Sequence, residues 1–227
     1  MTEIKICGLS TFETLDAALA AGVDWVGFVR FPRSPRHVEL DTARLLSQRA
    51  KGRAGRVVLL VDPDDAAVAA AVEAMTPDLI QLHGRESPER VAAIRAATGL
   101  PVMKALGIAG SEDLAALAFY AVTDRLLLDA KAPPGAALPG GNGIRFDWDL
   151  LAGADLPAGT MLSGGLDAGT VAEALSRTGL GAVDVSSGVE SAPGVKDPAR
   201  IAAFVAAVRR NPCADAPGDT GIAVTRA

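Results

Sequence analysis

The sequence predicts a (β/α)8 barrel, or TIM barrel, with eight parallel strands ringed by outer helices. Three observations lead there. Short apolar runs alternate with helix-period segments eight times along the chain. The runs are near-continuous rather than alternating, as in parallel strands buried on both faces. Eight units over residues 1–210 come to about 26 residues each, which suits a closed barrel with few insertions. The alternative, an open doubly wound sheet, carries a Gly-rich dinucleotide turn after its first strand, and here Cys7-Gly8-Leu9-Ser10 stands in that place.

The first strand is Ile4–Cys7, stopped by Gly8, and Ser10 with Glu13 reads as a capping box for a helix that Gly22 closes. Trp25–Val29 is the second strand. Val57–Val61 is the third, with Asp62 capping the turn that follows. After the fourth, Leu79–Leu82, Ser87 caps a helix begun by Pro88 and carrying Val91, Ile94 and Arg95 at helical spacing. Val102–Leu106, ahead of Ser111, is the fifth, and Leu126–Leu128, Met161–Leu162 and Ala182–Val185 complete the set. Residues 1–210 form one domain, and 211–227, without a strong apolar period, read as a flexible tail.

Composition removes several classes of function. With 227 residues, 49% hydrophobic and 22% charged, the chain is ordinary globular material with enough length for one large core. A net charge of −5 argues against a nucleic-acid surface, and 4% aromatic residues supply few stacking platforms. No uncharged apolar run approaches the ~18 residues of a membrane span, and the start, MTEIKICGLS, has no targeting region. Cys7 and Cys213 are too few for a disulfide framework or a zinc site. The expectation is a soluble, cytoplasmic, acidic protein.

Chemistry in this fold sits where strands run into the following loops. Those ends read Cys7, Arg30, Asp62, His83, Lys104, Asp129, then Ser163-Gly164-Gly165, then Asp184-Val185-Ser186-Ser187-Gly188. The two small-residue turns at strands seven and eight expose backbone N–H groups, and this is where the fold often holds a phosphate. Tight-turn geometry is the plainer explanation of either turn alone. Cys7 reads as a small buried hydrophobe or as a thiolate base, the second requiring a lowered pKa. Asp129 ends an apolar strand, where a carboxylate needs partners or a function. Arg36 is solvated by default, or a bidentate clamp for a carboxylate at the barrel mouth. His83 is kept secondary.

KICGL (5–9), FPRSPR (31–36), QLHG (81–84), LLLDAK (126–131), FDW (146–148), LSGGL (162–166) and VDVSSGVE with PGVKD (183–197) together resemble the phosphoribosylanthranilate isomerase family of tryptophan biosynthesis. The resemblance runs from about residue 3 to 210. It implies a cofactor-free Amadori rearrangement of a small phosphoribosyl substrate by a monomer or homodimer, with no metal, nucleic acid or membrane involved. It also implies Asp129 as general acid and Cys7 as general base. Arg36, His83 and Asp184 fall among the substrate-binding positions, and Gly164, Gly165, Ser187 and Gly188 on the phosphate turns. Acid and base acting together call for a lowered thiol and a raised carboxyl pKa, so Cys7 is expected to alkylate faster than a free thiol at pH 7. Two departures stand out. The loop 132–145 is rich in Ala and Pro, and Ala130 occupies a position where the family often has a hydroxyl.

Three other readings compete. A Schiff-base lyase would use Lys104 or Lys131. A histidine-pathway sugar-phosphate isomerase is expected to use a carboxylate pair, where this chain has Cys7. A barrel that binds phosphate without turnover would need none of Cys7, Asp129 and Arg36.

Overall fold

The computed structural model describes residues 1–120, 122–136 and 138–211. Eight parallel strands close into a barrel: β1 (Glu3–Cys7), β2 (Trp25–Val29), β3 (Gly55–Leu60), β4 (Leu79–Leu82), β5 (Val102–Ile108), β6 (Arg125–Ala130), β7 (Met161–Leu162) and β8 (Ala182–Val185). β8 pairs back onto β1 through Lys5 and Asp184, among other partners. The fold class is the one the sequence predicts. Outside lie α1 (Phe12–Ala20), α2 (Leu40–Ala50), α3 (Asp65–Met75), α4 (Pro88–Thr98), α5 (Ser111–Leu114), α6 (Val171–Thr178) and α7 (Pro198–Arg210). A small hairpin, β9 (Glu190–Ala192) and β10 (Val195–Lys196), lies between β8 and α7.

Several local expectations need correction. Between β6 and β7 the described residues hold no α-helix, only a 3-10 turn at Trp148–Leu151 whose buried Trp148 and Leu151 complete the outer core. α5 is a single turn that continues as a 3-10 segment, Ala115–Tyr120. Thr11, not Ser10, caps α1, its side chain accepting from the Thr14 N–H. Asp64, not Asp62, caps α3. Asp62 instead adopts φ +46°, and its Oδ1 accepts from the Arg85 N–H at 2.6 Å. Ser87 and Pro88 start α4 as predicted. Residues 212–227, and with them most of the predicted tail and Cys213, lie outside the described residues.

The strands read as continuous apolar runs because both of their faces are buried. Outward residues such as Ile4, Ile6, Val26, Phe28, Val58 and Leu60 join the helices in the main core. Inward residues Trp25, Val57, Leu79, Met103, Leu127, Met161 and Ala182 plug the lower barrel. The plug needs a glycine at Gly55, where a Cβ would stand 2.3 Å from the Trp25 ring. Two residues further along, strand alternation brings the next side chain to the same inward face. Leu79 is followed in this way by Gln81, Leu127 by Asp129, Met161 by Ser163 and Ala182 by Asp184. The interior therefore turns from apolar to polar as it rises toward the carboxyl ends of the strands.

Candidate active site

A cleft of about 780 Å³ opens at those carboxyl ends, lined by Cys7, Arg36, His83, Asp129, Gly164, Gly165, Asp184 and Ser187 among others. It thus gathers eight of the nine predicted site residues. Gly188 is not in its wall. A Cβ at Gly188 would stand 1.8 Å from the Leu166 carbonyl oxygen, so this glycine lets the two small-residue turns pack directly against each other. Gly164 and Gly165 take φ of +89° and +62°, a left-handed pair that L side chains avoid, which is why the turn is glycine-rich.

On the β6 side, Asp129 is buried and anchored twice. Oδ1 accepts from the Ala130 N–H at 2.9 Å, and Oδ2 lies 3.2 Å from His83 Nε2. The Gln81 side-chain amide lies 3.0 Å from His83 Nδ1, on the opposite edge of the ring from Asp129. His83, just beyond β4, is thus oriented from behind by Gln81 of that strand. The loop after β6 passes over this pair. A Cβ at Gly140 would come within 2.3 Å of His83 Nε2 and 2.7 Å of Asp129 Oδ2.

On the β1 side, Cys7 shares its setting with Lys5, one inward position below. Lys5 is fully buried, and its Nζ donates to Asp184 Oδ1 at 2.8 Å, while Asp184 Oδ2 accepts from Ser163 Oγ at 3.3 Å. A Cβ at Gly27 would meet both Cys7 Sγ (3.1 Å) and Lys5 Nζ (3.2 Å), so the glycine leaves the space they occupy. Burial pushes the Cys7 thiol up, more than Lys5 and Lys196 pull it down, and the Asp184 charge adds to the rise. This corrects the expected lowered thiol pKa: the barrel interior desolvates the thiolate more than the Lys5 and Lys196 ammonium groups stabilise it. The expected alkylation result reverses accordingly. Iodoacetamide should modify Cys7 in the free protein more slowly than it modifies a free thiol at pH 7, and a faster rate would contradict the buried, protonated thiol.

Arg36 is buried, not solvated. Its Nε and Nη2 donate to the two Glu190 carboxylate oxygens at 2.7 and 2.9 Å, and Nη2 also donates to the Gly141 carbonyl at 3.2 Å. Lys196 Nζ donates to Glu190 Oε1 at 2.6 Å and to the Ser186 carbonyl at 2.9 Å. Burial raises the Glu190 carboxyl, but Arg36 and Lys196 more than offset it and hold it below its ordinary range. A carboxyl with a depressed native pKa stabilises the fold above its unfolded value, and that stability is lost as pH falls through the depressed value. Denaturant unfolding should therefore find Glu190→Gln less stable than the parent at pH 7, with the gap closing as pH drops below about 4.3. A gap independent of pH would show that the charge is not what matters.

The lysines of the Schiff-base alternative are committed elsewhere. Lys104 is not at a strand end, because β5 runs on to Ile108, and its buried Nζ donates to Glu86 and to the Gly84 carbonyl. Lys131 pairs with Asp113. Lys5, Gln81, Glu190 and Lys196 are the functional candidates that motif reading at strand ends missed.

A closed eight-stranded barrel with a thiol, a carboxyl–imidazole pair and a guanidinium around one cleft at its strand ends belongs to the (β/α)8 enzyme class. The family model of N-(5'-phosphoribosyl)anthranilate (PRA) isomerase matches residues 4–207. A protein of that name from Azorhizobium caulinodans is 65% identical over 216 residues, covering 95% of both chains. One from Rhodopseudomonas palustris (strain BisB18) is 59% identical over 207 residues, 91% of this chain and 95% of the other. The chain belongs to the PRA isomerase family, isomerases of tryptophan biosynthesis. The crystal structure of the Thermotoga maritima isomerase superposes with a TM-score of 0.80 at 32% identity, covering 92% of this chain and 100% of that one. A crystal structure of the isomerase with reduced 1-(o-carboxyphenylamino)-1-deoxyribulose 5-phosphate superposes at 0.78 and 30% identity, with the same coverage. Among the described residues no helix is long and apolar enough to cross a membrane.

Proposed function

We propose that this chain converts N-(5-phospho-β-D-ribosyl)anthranilate to 1-(2-carboxyphenylamino)-1-deoxy-D-ribulose 5-phosphate, with Asp129 as general acid and Cys7 as general base. The observation that carries the reading is the convergence of Cys7 and Asp129 on one cleft between Arg36 and the Gly164–Gly165 and Ser187 turns. The substrate has an anion at each end. Its phosphate suits the exposed N–H groups of the turns, and its carboxylate suits Arg36.

Asp129 gives its proton to the ribose ring oxygen, the C1–O bond breaks, and the anilino nitrogen lone pair forms an iminium. Cys7, as thiolate, removes the C2 proton, and the C–H electrons form the C1=C2 bond of an enolamine while neutralising the iminium. Tautomerisation to the ketone completes an isomerisation in which no atom is gained or lost. The raised thiol pKa fits this order. The iminium is a cation formed beside Cys7 only after ring opening; it stabilises the thiolate that remains once the thiol proton has passed to solvent through the open cleft, so the base is activated by the intermediate it must deprotonate. His83 holds Asp129 at the sugar, and Asp184 sits at the anilino end, tied to Lys5.

The deciding experiment is the loss of phosphoribosylanthranilate fluorescence on adding the protein. Turnover that survives borohydride without covalent trapping supports the isomerase over a lysine Schiff base, and no turnover favours a barrel that only binds phosphate.

A further inference from the structure

We propose that Glu190 and Lys196 are positioning residues that turn Arg36 into a one-sided cationic clamp, fixing its geometry while leaving its charge available to the substrate carboxylate. This rests on the reading of Arg36 given above. The guanidinium is held on every side but one. Its stem crosses Gly8, where a Cβ would stand 2.7 Å from Arg36 Cδ, just after Cys7. Its Nε–Nη2 edge is engaged bidentately by Glu190, and Gly141 packs beside Nη1, where a Cβ would come within 2.6 Å. Nη1 has no hydrogen-bond partner among the described residues, and Arg36 lines the cleft.

A bidentate carboxylate would ordinarily make Arg36 a closed, neutral pair, useless for a second carboxylate. Lys196 removes that difficulty. Its buried ammonium sits 2.6 Å from Glu190 Oε1, so two cations share one carboxylate and a positive charge is left over. Glu190 is also fixed by the Gly194 N–H at 3.2 Å, and Lys196 by Ser186, whose hydroxyl donates to the Cys7 carbonyl at 3.1 Å. The clamp is thereby tied to the strand end that carries the base. A buried net charge is unfavourable until an anion meets it, and that makes the free edge selective for a carboxylate.

The test measures the dissociation constants of reduced 1-(o-carboxyphenylamino)-1-deoxyribulose 5-phosphate and of its phenylamino analogue without the carboxylate. The ratio of the two reads the carboxylate preference alone. In Lys196→Met the uncompensated Glu190 should reduce this preference about tenfold, the scale of one charge-assisted hydrogen bond. Adding Glu190→Gln to Lys196→Met should restore part of it, because Arg36 regains its net charge. A merely structural pair predicts the opposite, a double variant at least as poor as the single one, and that result would overturn the proposal. Lys196→Gln serves in place of Lys196→Met should the latter not fold. Arg36→Met is the control. If it leaves the preference intact, the reading of Arg36 and this proposal fall together; if it abolishes the preference while the Lys196 variants keep it, only this proposal falls.

Discussion

Replacing Cys7 with alanine, or Asp129 with asparagine, should each lower kcat at least about 100-fold, the usual contribution of a positioned acid or base. The affinity for substrate should change far less. In the proposed pose the two ends of the substrate are held by Arg36 and by the Gly164–Gly165 and Ser187 turns, and neither substitution removes any of those groups. A loss in kcat with KM little altered is the mark of an interaction made only in the transition state. Asp129→Asn is the cleaner of the two, since the amide keeps the shape and an acceptor for the Ala130 N–H while removing the transferable proton. The double variant should be little worse than the poorer single one, because groups that act in one proton circuit are not additive. Fluorescence-monitored turnover at saturating substrate checks all three, and full activity in Cys7→Ala would end the assignment of the base.

Those two residues were legible in the sequence because each closes a short apolar run at a place where this fold puts its chemistry. The strand framework was legible for the same reason: Trp25–Val29, Leu79–Leu82, Met161–Leu162 and Ala182–Val185 stand where the apolar runs predict them. The stretch between β6 and β7 was not. It follows a long loop, and Trp148 and Leu151 fill the outer core from a single 3-10 turn without helical periodicity. Lys5 is harder to read, because a charge inside an apolar strand looks like an interruption. Strict alternation gives it away, since residues 5 and 7 must share a face, and pairing of β1 with β8 sets Lys5 opposite Asp184. Glu190 and Lys196 lie in the quoted motif, but their partner Arg36 is 154 positions from Glu190, a contact that only barrel closure creates. The state of the thiol is not legible in the sequence, because desolvation depends on depth, which a strand-end position does not reveal.

Lys5→Met should cost about 3–5 kcal/mol of stability at neutral pH, the penalty for removing one partner of a buried ion pair. Lys5 is fully buried, and without it the buried Asp184 carboxylate keeps, among the described residues, only the hydrogen bond from Ser163 Oγ at 3.3 Å. Against a typical total of about 5–15 kcal/mol this is a large share, so denaturant midpoints will show it plainly. Lys5→Met combined with Asp184→Asn should recover much of the loss, because the carboxylate left without a partner, not the missing methylenes, is the costly element. The sign of the pH dependence is fixed too. Burial depresses the Lys5 ammonium, but Asp184 and Cys7 outweigh it and leave its pKa raised. A raised native pKa gives stability that is complete below the unfolded value, about 10.4, and lost only as pH climbs through the native one. The gap between parent and Lys5→Met should therefore stay constant from pH 7 to 9 and narrow only in stronger alkali. Lys5 is also the closest cation to Cys7 on the inward face of β1, so its loss should move the limb of the kcat profile that reports the thiol to higher pH. A stable Lys5→Met protein with an unchanged profile would show that Lys5 merely fills space beneath the base, and would leave Lys196 as the cation acting on the thiol.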